Sequence, residues 1–295
     1  MNHQSPLENF AQPALAAPAI WRLVASVGVV FGALLVLGLG GGAVGLAFGL
    51  DVSSLISSFE TPISSLALLA TFLIWRPALW LAMLLFSRRA YRTVFGPTNR
   101  ANGREFLVGL LIAIALAVLS TGLAYIAVGA PVFSQVSLAP WIGFALAALP
   151  LIYIQSSAEE LLFRGLILQH MAARFGAFWA WGLIPSILFG LLHWNPDGYG
   201  AAVWMVLAIT GLTGLVFAVV TAATGNLGAA MGLHFGLNTY ALLFIAPNKA
   251  FAGLALARWP EGETALNRLL VIDLGVMVVA CLMSIAFYRL RIARV

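Results

Sequence analysis

The chain reads as a series of long apolar runs divided by short polar breaks. Runs near residues 20–50, 63–86, 106–128, 141–170, 177–193, 201–224, 228–247 and 268–288 approach or exceed the roughly 20 residues that a helix needs to cross a hydrocarbon core about 30 Å thick. Apolar and polar positions do not alternate with the period of two that a membrane β-barrel strand requires. The pattern predicts an all-α fold, a polytopic membrane helix bundle of about eight transmembrane helices. The breaks at Arg174-Phe175-Gly176 and Gly225-Asn226 are the weakest, and they predict hairpins or broken helices there. No repeat, low-complexity tract or inverted half divides the chain.

Composition changes this picture little. Of 295 residues, 62% are hydrophobic and 8% charged, against roughly 25% charged in a soluble domain, so the solvent of this chain is lipid. The net charge of +5 does not point to nucleic acid, because the arginines gather at the ends of apolar runs, where they set orientation. Arg88, Arg89, Arg92, Arg100 and Arg104 lie between runs two and three, and Arg289, Arg291 and Arg294 close the chain. Both groups are expected in the cytoplasm, with both termini inside, and the expected location is a bacterial cell membrane. Lys249, Arg258 and Arg268 then fall in an outer loop, against the rule, in the company of Glu261 and Glu263. The apolar start continues to about Leu50 behind one arginine, Arg22, which favours a retained helix over a cleaved signal. A single cysteine, Cys281, excludes an intrachain disulfide and a multi-cysteine zinc site. Gly38, Gly40, Gly41, Gly42, Gly45 and Gly49 superficially suggest a nucleotide loop, but no strand precedes them. Inside an apolar helix they are expected to allow close helix packing.

The fourth run contains Gln155-Ser156-Ser157-Ala158-Glu159-Glu160-Leu161-Leu162-Phe163-Arg164. Three ionisable groups at a helix centre cost about 8 to 10 kcal/mol together on insertion scales, so partners or a wet cavity must offset them. Glu160 and Arg164 are four apart on one face, in the favourable order for an ion pair, whereas Glu159 points about 100° away. Ser156 and Ser157 read as helix-interior hydroxyls. The fifth run ends Phe189-Gly190-Leu191-Leu192-His193, and the seventh holds His234-Phe235-Gly236-Leu237-Asn238, with His234 and Asn238 sharing a face. Three helices thus offer one cavity a carboxylate, two imidazoles and an amide, the groups that peptide hydrolysis needs as base, acid and oxyanion donors. A purely structural use of each residue is the competing reading. Counting ~1.5 Å per residue from the inner helix ends puts Glu159 at roughly 16 Å, His193 at roughly 24 Å and His234 at roughly 9 Å. A common site has to close that gap by tilt or by a kink at Pro185.

Glu159-Glu160-x-x-x-Arg164, Phe189-x-x-x-His193 and His234-x-x-x-Asn238 resemble, in type, spacing and order, the three motifs of the CAAX prenyl endopeptidase and bacteriocin-processing family of intramembrane proteases. The resemblance covers about residues 140 to 245. It implies an intramembrane endopeptidase acting on a membrane-associated or lipidated protein or peptide, a prenylated one included. Glu159 and His193 would activate water, His234 and Asn238 would stabilise the oxyanion, and Glu160 and Arg164 would support them. Phe189 has no acid, base or ligand to offer and is expected to pack. On this reading residues 1–140 are helices one to three with their loops, 141–247 the catalytic core, and 248–295 an outer loop with the last helix.

No metal cofactor is favoured, since Asn238 suits an oxyanion donor better than a zinc ligand. Glu159, His193 and His234 are the alternative zinc ligands. A serine protease lacks its Gly-x-Ser-x-Gly elbow, and His-Glu-x-x-His is absent. The rival classes are a transporter or permease relaying protons through the same groups, and a non-catalytic immunity or scaffold protein. Arg76, followed by Pro77, is expected at a helix break, bonding freed carbonyls or reaching toward an interface; binding a substrate carboxylate is its alternative.

Overall fold

The computed structural model describes residues 4–49, 51–56, 59–134 and 137–293; Leu50 and Arg294, used above, lie outside the described residues. A short helix α1 (Pro6–Ala11) is capped by Ser5, whose hydroxyl accepts from Glu8 while Glu8 accepts from the Ser5 amide. The long helices are α2 (Ile20–Ala47), α3 (Pro62–Ser87), α4 (Gly103–Val128), α5 (Leu138–Phe175), α7 (Pro196–Thr224) and α9 (Glu263–Ile292). Between them lie α6 (Trp179–Leu191) and α8 (Gly228–Thr239). The protein is thus a polytopic helical membrane protein, in which six helices among the described residues are long and apolar enough to span a bilayer.

The fifth and seventh expected spans are the short ones. Their boundaries are the weak breaks seen in the sequence, and they are true helix ends because Gly176 and Gly225 take left-handed conformations, φ 65° and 67°, that a side chain would resist. A β-carbon on Gly225 would also stand 2.9 Å from the carbonyl oxygen of Pro6. Outside the helices, dipeptide strands β1 (Val132–Phe133), β2 (Ile245–Ala246) and β3 (Ala257–Arg258) form a small sheet in the order β1-β3-β2. β3 runs antiparallel to β1 and parallel to β2. Strands this short carry no sequence signal, and none was expected.

The connections fall into two groups. On one side, the Asn226 side chain accepts from the Asn102 amide at 2.8 Å and donates to the Arg100 carbonyl at 3.0 Å, and Phe10 packs against Gly96. On the other, the Gly253 amide donates to Phe59 O and the Ser134 amide to Leu256 O, both at 2.8 Å, while Asn248 donates to Gly198 O at 2.9 Å. Short as they are, α6 and α8 each leave the first group and arrive at the second.

The tightest packing joins α4 to α8. Gly228, Gly232 and Gly236 recur every four residues of α8, and a β-carbon at Gly232 would lie 2.0 Å from Phe106 O, at Gly228 2.3 Å from Asn102 O and at Gly236 2.5 Å from the Ala113 β-carbon. From the α4 side, Gly109 meets Ala229 O in the same way at 2.1 Å. This is small-residue packing of membrane helices, and it differs from what was expected at several glycines of α2. In α2, Gly38, Gly40 and Gly42 face open space, and Gly41 has only Val52 in contact range, at 3.9 Å. The reason is position: α2 lies at the bundle edge with much of its length exposed, whereas α8 is enclosed.

Candidate active site

Helix α5 is α-helical through Glu160 and then π-wound over Leu161–Leu168. Such π segments are rare and frequently occur at functional sites. Every residue from Gln155 to His170 is buried. Ser156 and Ser157 donate to the carbonyls of Ile152 (2.8 Å) and Tyr153 (2.5 Å), the helix-interior role expected of them.

Arg164 donates to Glu160 Oε1 at 2.9 Å, as its spacing predicted, and through its other terminal nitrogen to Gly214 O at 2.7 Å. The guanidinium also lies over the rings of Phe189 and Phe217, 4.8 and 5.2 Å from their centroids. Glycine at 214 leaves room for both groups, since a β-carbon there would come within 3.1 Å of the Phe189 ring and 3.3 Å of the guanidinium and one of them would have to shift.

Glu160 is more than the partner of Arg164. The same oxygen, Oε1, receives Nδ1 of His234 at 2.8 Å. A carboxylate already accepting from arginine offers only acceptor capacity, so the hydrogen of this bond belongs to His234. The imidazole is further fixed by stacking on Phe217, with centroids 5.1 Å apart at 30°, and by the edge-on ring of Phe189 at 5.8 Å. Its second nitrogen, Nε2, consequently faces Glu159 Oε2 at 3.6 Å. That oxygen is buried without a hydrogen-bond partner among the described residues, while Glu159 Oε1 accepts from Gln155 Nε2 at 2.8 Å.

Gln155 escaped the sequence reading. It receives Asn238 Nδ2 at 2.7 Å on its own oxygen, so Asn238, Gln155 and Glu159 form a relay across α8 and α5. Its signal was present, since it lies one helical turn before Glu159 on the same face. Asn238, expected as an oxyanion donor, has one amide hydrogen engaged and a second left for that task.

Among the described residues His234, not His193, is the imidazole in ion-pair range of Glu159. The physical reason is that α6 ends before His193, whose Nδ1 bonds Phe189 O at 2.9 Å and whose ring packs on Phe189 at 4.9 Å. The Phe189 ring touches both histidines, the packing role expected of it. His193, His234 and Asn238 then share the wall of one cavity of about 270 Å³. The depths counted along ideal α-helices do not apply where α5 and α6 are π-wound, over Leu161–Leu168 and Trp179–Leu183. Among the described residues no group of three or more His, Cys, Asp or Glu side chains gathers closely enough to hold a metal ion, so the alternative ligand set of Glu159, His193 and His234 does not assemble in this arrangement.

Arg76 stands where a helix break was expected, just after the 3-10 turn Thr71–Ile74. It bonds not a freed carbonyl but Ser157 Oγ, at 2.5 Å, with its guanidinium 5.9 Å from the Tyr153 ring centroid. It thus braces the back of α5. A second residue missed from the sequence is Asp273, an acid inside the last apolar run, which lines the same cavity.

A bundle of membrane-spanning helices that buries two glutamates, an arginine and a histidine in mutual contact belongs to the class of polytopic membrane proteins with an internal acid–base site. Residues 139–240 match a protein family described as Rce1-like, type II CAAX prenyl endopeptidase Rce1-like, and the chain carries a domain of that family over this segment. The segment contains Glu159, Glu160, Arg164, His193, His234 and Asn238. The chain is also similar to a Bacillus subtilis (strain 168) protein described as "Uncharacterized protein YyaK", 33% identical over 183 residues. That alignment covers 60% of this chain and 60% of the relative.

Proposed function

We propose that the protein is an intramembrane endopeptidase that hydrolyses peptide bonds of a membrane-associated or lipidated protein or peptide, and that residues 141–247 form its catalytic core. The observation that carries this reading is the unpartnered buried oxygen of Glu159, 3.6 Å from Nε2 of His234. Two atoms so placed are both within about 2.8 Å of a point between them, the reach of a good hydrogen bond. A water there gives its proton to Glu159 as its oxygen attacks the scissile carbonyl. Glu159 then returns that proton to the leaving amine, and the free amide hydrogen of Asn238 donates to the oxyanion; His234, its Nδ1 hydrogen held by Glu160, accepts from the water through Nε2 and orients it, and His193 lines the substrate cavity. Arg164 holds Glu160 in place. The reaction written this way uses no resident metal.

The two loop groups support eight crossings, with α6 and α8 as the short ones, and the arginines favour a cytoplasmic position for the loop at 88–102 and for both termini. The test is cleavage of a peptide library by detergent-purified full-length protein, with Glu159→Gln as the blank. Specific cleavage by the wild type alone supports the proposal. Equal cleavage by both, or function that exists only across an energised membrane, rejects it in favour of contamination or transport.

A further inference from the structure

The cavity has a second polar end that the reaction does not use. Asp273, on α9, accepts from the Ser120 hydroxyl of α4. Among the described residues it has no other hydrogen-bond or ion-pair partner, and no lysine or arginine lines the cavity. Tyr199 and Tyr240 line the same space. Tyr240 shares a hydrogen with Thr121 at 2.6 Å, whereas the Tyr199 hydroxyl bonds to none of the described residues. Elsewhere in this bundle the buried acids of the site are matched by Arg164 and His234. Asp273 is not matched, although a carboxylate inside a membrane segment is unfavourable without a countercharge. One hydroxyl cannot supply that charge.

We infer that Asp273, with Ser120, Tyr199 and Tyr240 around it, is a specificity determinant that receives a positively charged group of the substrate, a lysine or arginine side chain near the scissile bond. This inference rests on the endopeptidase reading of the same cavity. A carboxylate beside aromatic rings is the composition that binds ammonium and guanidinium groups. The cavity volume, about 270 Å³, is near the lower bound of small-molecule pockets, roughly 300 Å³, and so suits one extended side chain. A site built to pair a charge rejects a neutral isostere, because the carboxylate is then left alone.

Two arms of one experiment test this with full-length protein in detergent. Peptides identical except for lysine, arginine or norleucine at one position are scanned along the sequence around the cleaved bond, and kcat and KM are measured for wild type, Asp273→Asn and Ser120→Ala. At one position the wild type should prefer the basic residue about tenfold or more, mainly through KM. Asp273→Asn should reduce that ratio to about one, and Ser120→Ala, which frees the carboxylate from its one hydroxyl partner but keeps its charge, should lower the ratio without abolishing it. In the second arm the same peptides are titrated against Glu159→Gln and against Glu159→Gln combined with Asp273→Asn. Only the first should discriminate for the basic peptide.

A preference that survives Asp273→Asn overturns the inference, as does its absence from both arms. So does Asp273→Asn lowering every peptide equally and in parallel with Ser120→Ala, which marks a mere clamp between α4 and α9. If nothing is cleaved but Glu159→Gln binds basic peptides through Asp273, the recognition stands and the hydrolytic reading fails.

Discussion

Two adjacent residues on one helix have separate tasks because a helix turns about 100° between them. Glu160 faces inward to Arg164 and His234, and Glu159 faces Gln155 and the open oxygen position. Glu159→Gln preserves shape and removes the base, so turnover should fall by roughly a hundredfold or more, with folded yield and thermal midpoint near wild type. Arg164→Ala instead strands a buried carboxylate, a change that costs about 3 to 5 kcal/mol, so yield and midpoint should fall together with cleavage. Size-exclusion recovery, thermal unfolding and cleavage rates for the two variants settle the division; loss of activity in Glu159→Gln that merely tracks loss of folded protein contradicts it. Gln155 holds the base at its other oxygen. Its replacement by leucine removes a hydrogen bond to a charged group, about 1.5 to 3 kcal/mol, so the thermal midpoint should fall and kcat/KM should drop roughly ten- to a hundredfold, whereas Gln155→Glu controls for shape.

At the scale of elements, α8 carries His234 between two glycines that let it lie against α4. The imidazole reaches Glu160 and Glu159 only because that approach is so close. Gly232→Ala places a methyl group 2.0 Å from a backbone oxygen, so α8 or α4 must move. Overpacking of this kind costs about 1 to 3 kcal/mol or more, and the displacement separates His234 from α5. Both the thermal midpoint and cleavage should fall. Gly42→Ala, in open space on α2, is the control and should change neither. Equal behaviour of the two variants would remove α8 packing as the device that aims the histidine.

For the whole molecule, the two loop groups make a prediction about the bilayer. Reporter fusions should find the 88–102 loop and the C-terminus on the cytoplasmic side and the 247–262 loop outside. A periplasmic reporter active at the C-terminus contradicts the eight-crossing arrangement. Two of the three basic residues that dissent from the charge rule are engaged within the protein: Arg258 pairs with Glu261 at 2.6 Å and Arg268 donates to Ala127 O at 3.2 Å. Pairing of this kind weakens their claim on orientation.

The apolar runs alone determined that this is a helical membrane protein, because run length against bilayer thickness is a one-dimensional criterion. Helical spacing alone also determined the Glu160–Arg164 pair, and the polar breaks at Gly176 and Gly225 marked helix ends, since each is local in sequence; their left-handed conformations belong to the structure. Only the tertiary structure decided which histidine meets Glu159, because Glu160 and His234 are 74 positions apart and meet through the glycine contacts of α8. The same holds for Gln155 as the link between Asn238 and Glu159, and for Gly38, Gly40 and Gly42 of α2, whose spacing suited close packing although they face open space. Spacing specifies which face a residue shares; which neighbour that face meets depends on how distant helices pack, and a linear pattern does not contain it.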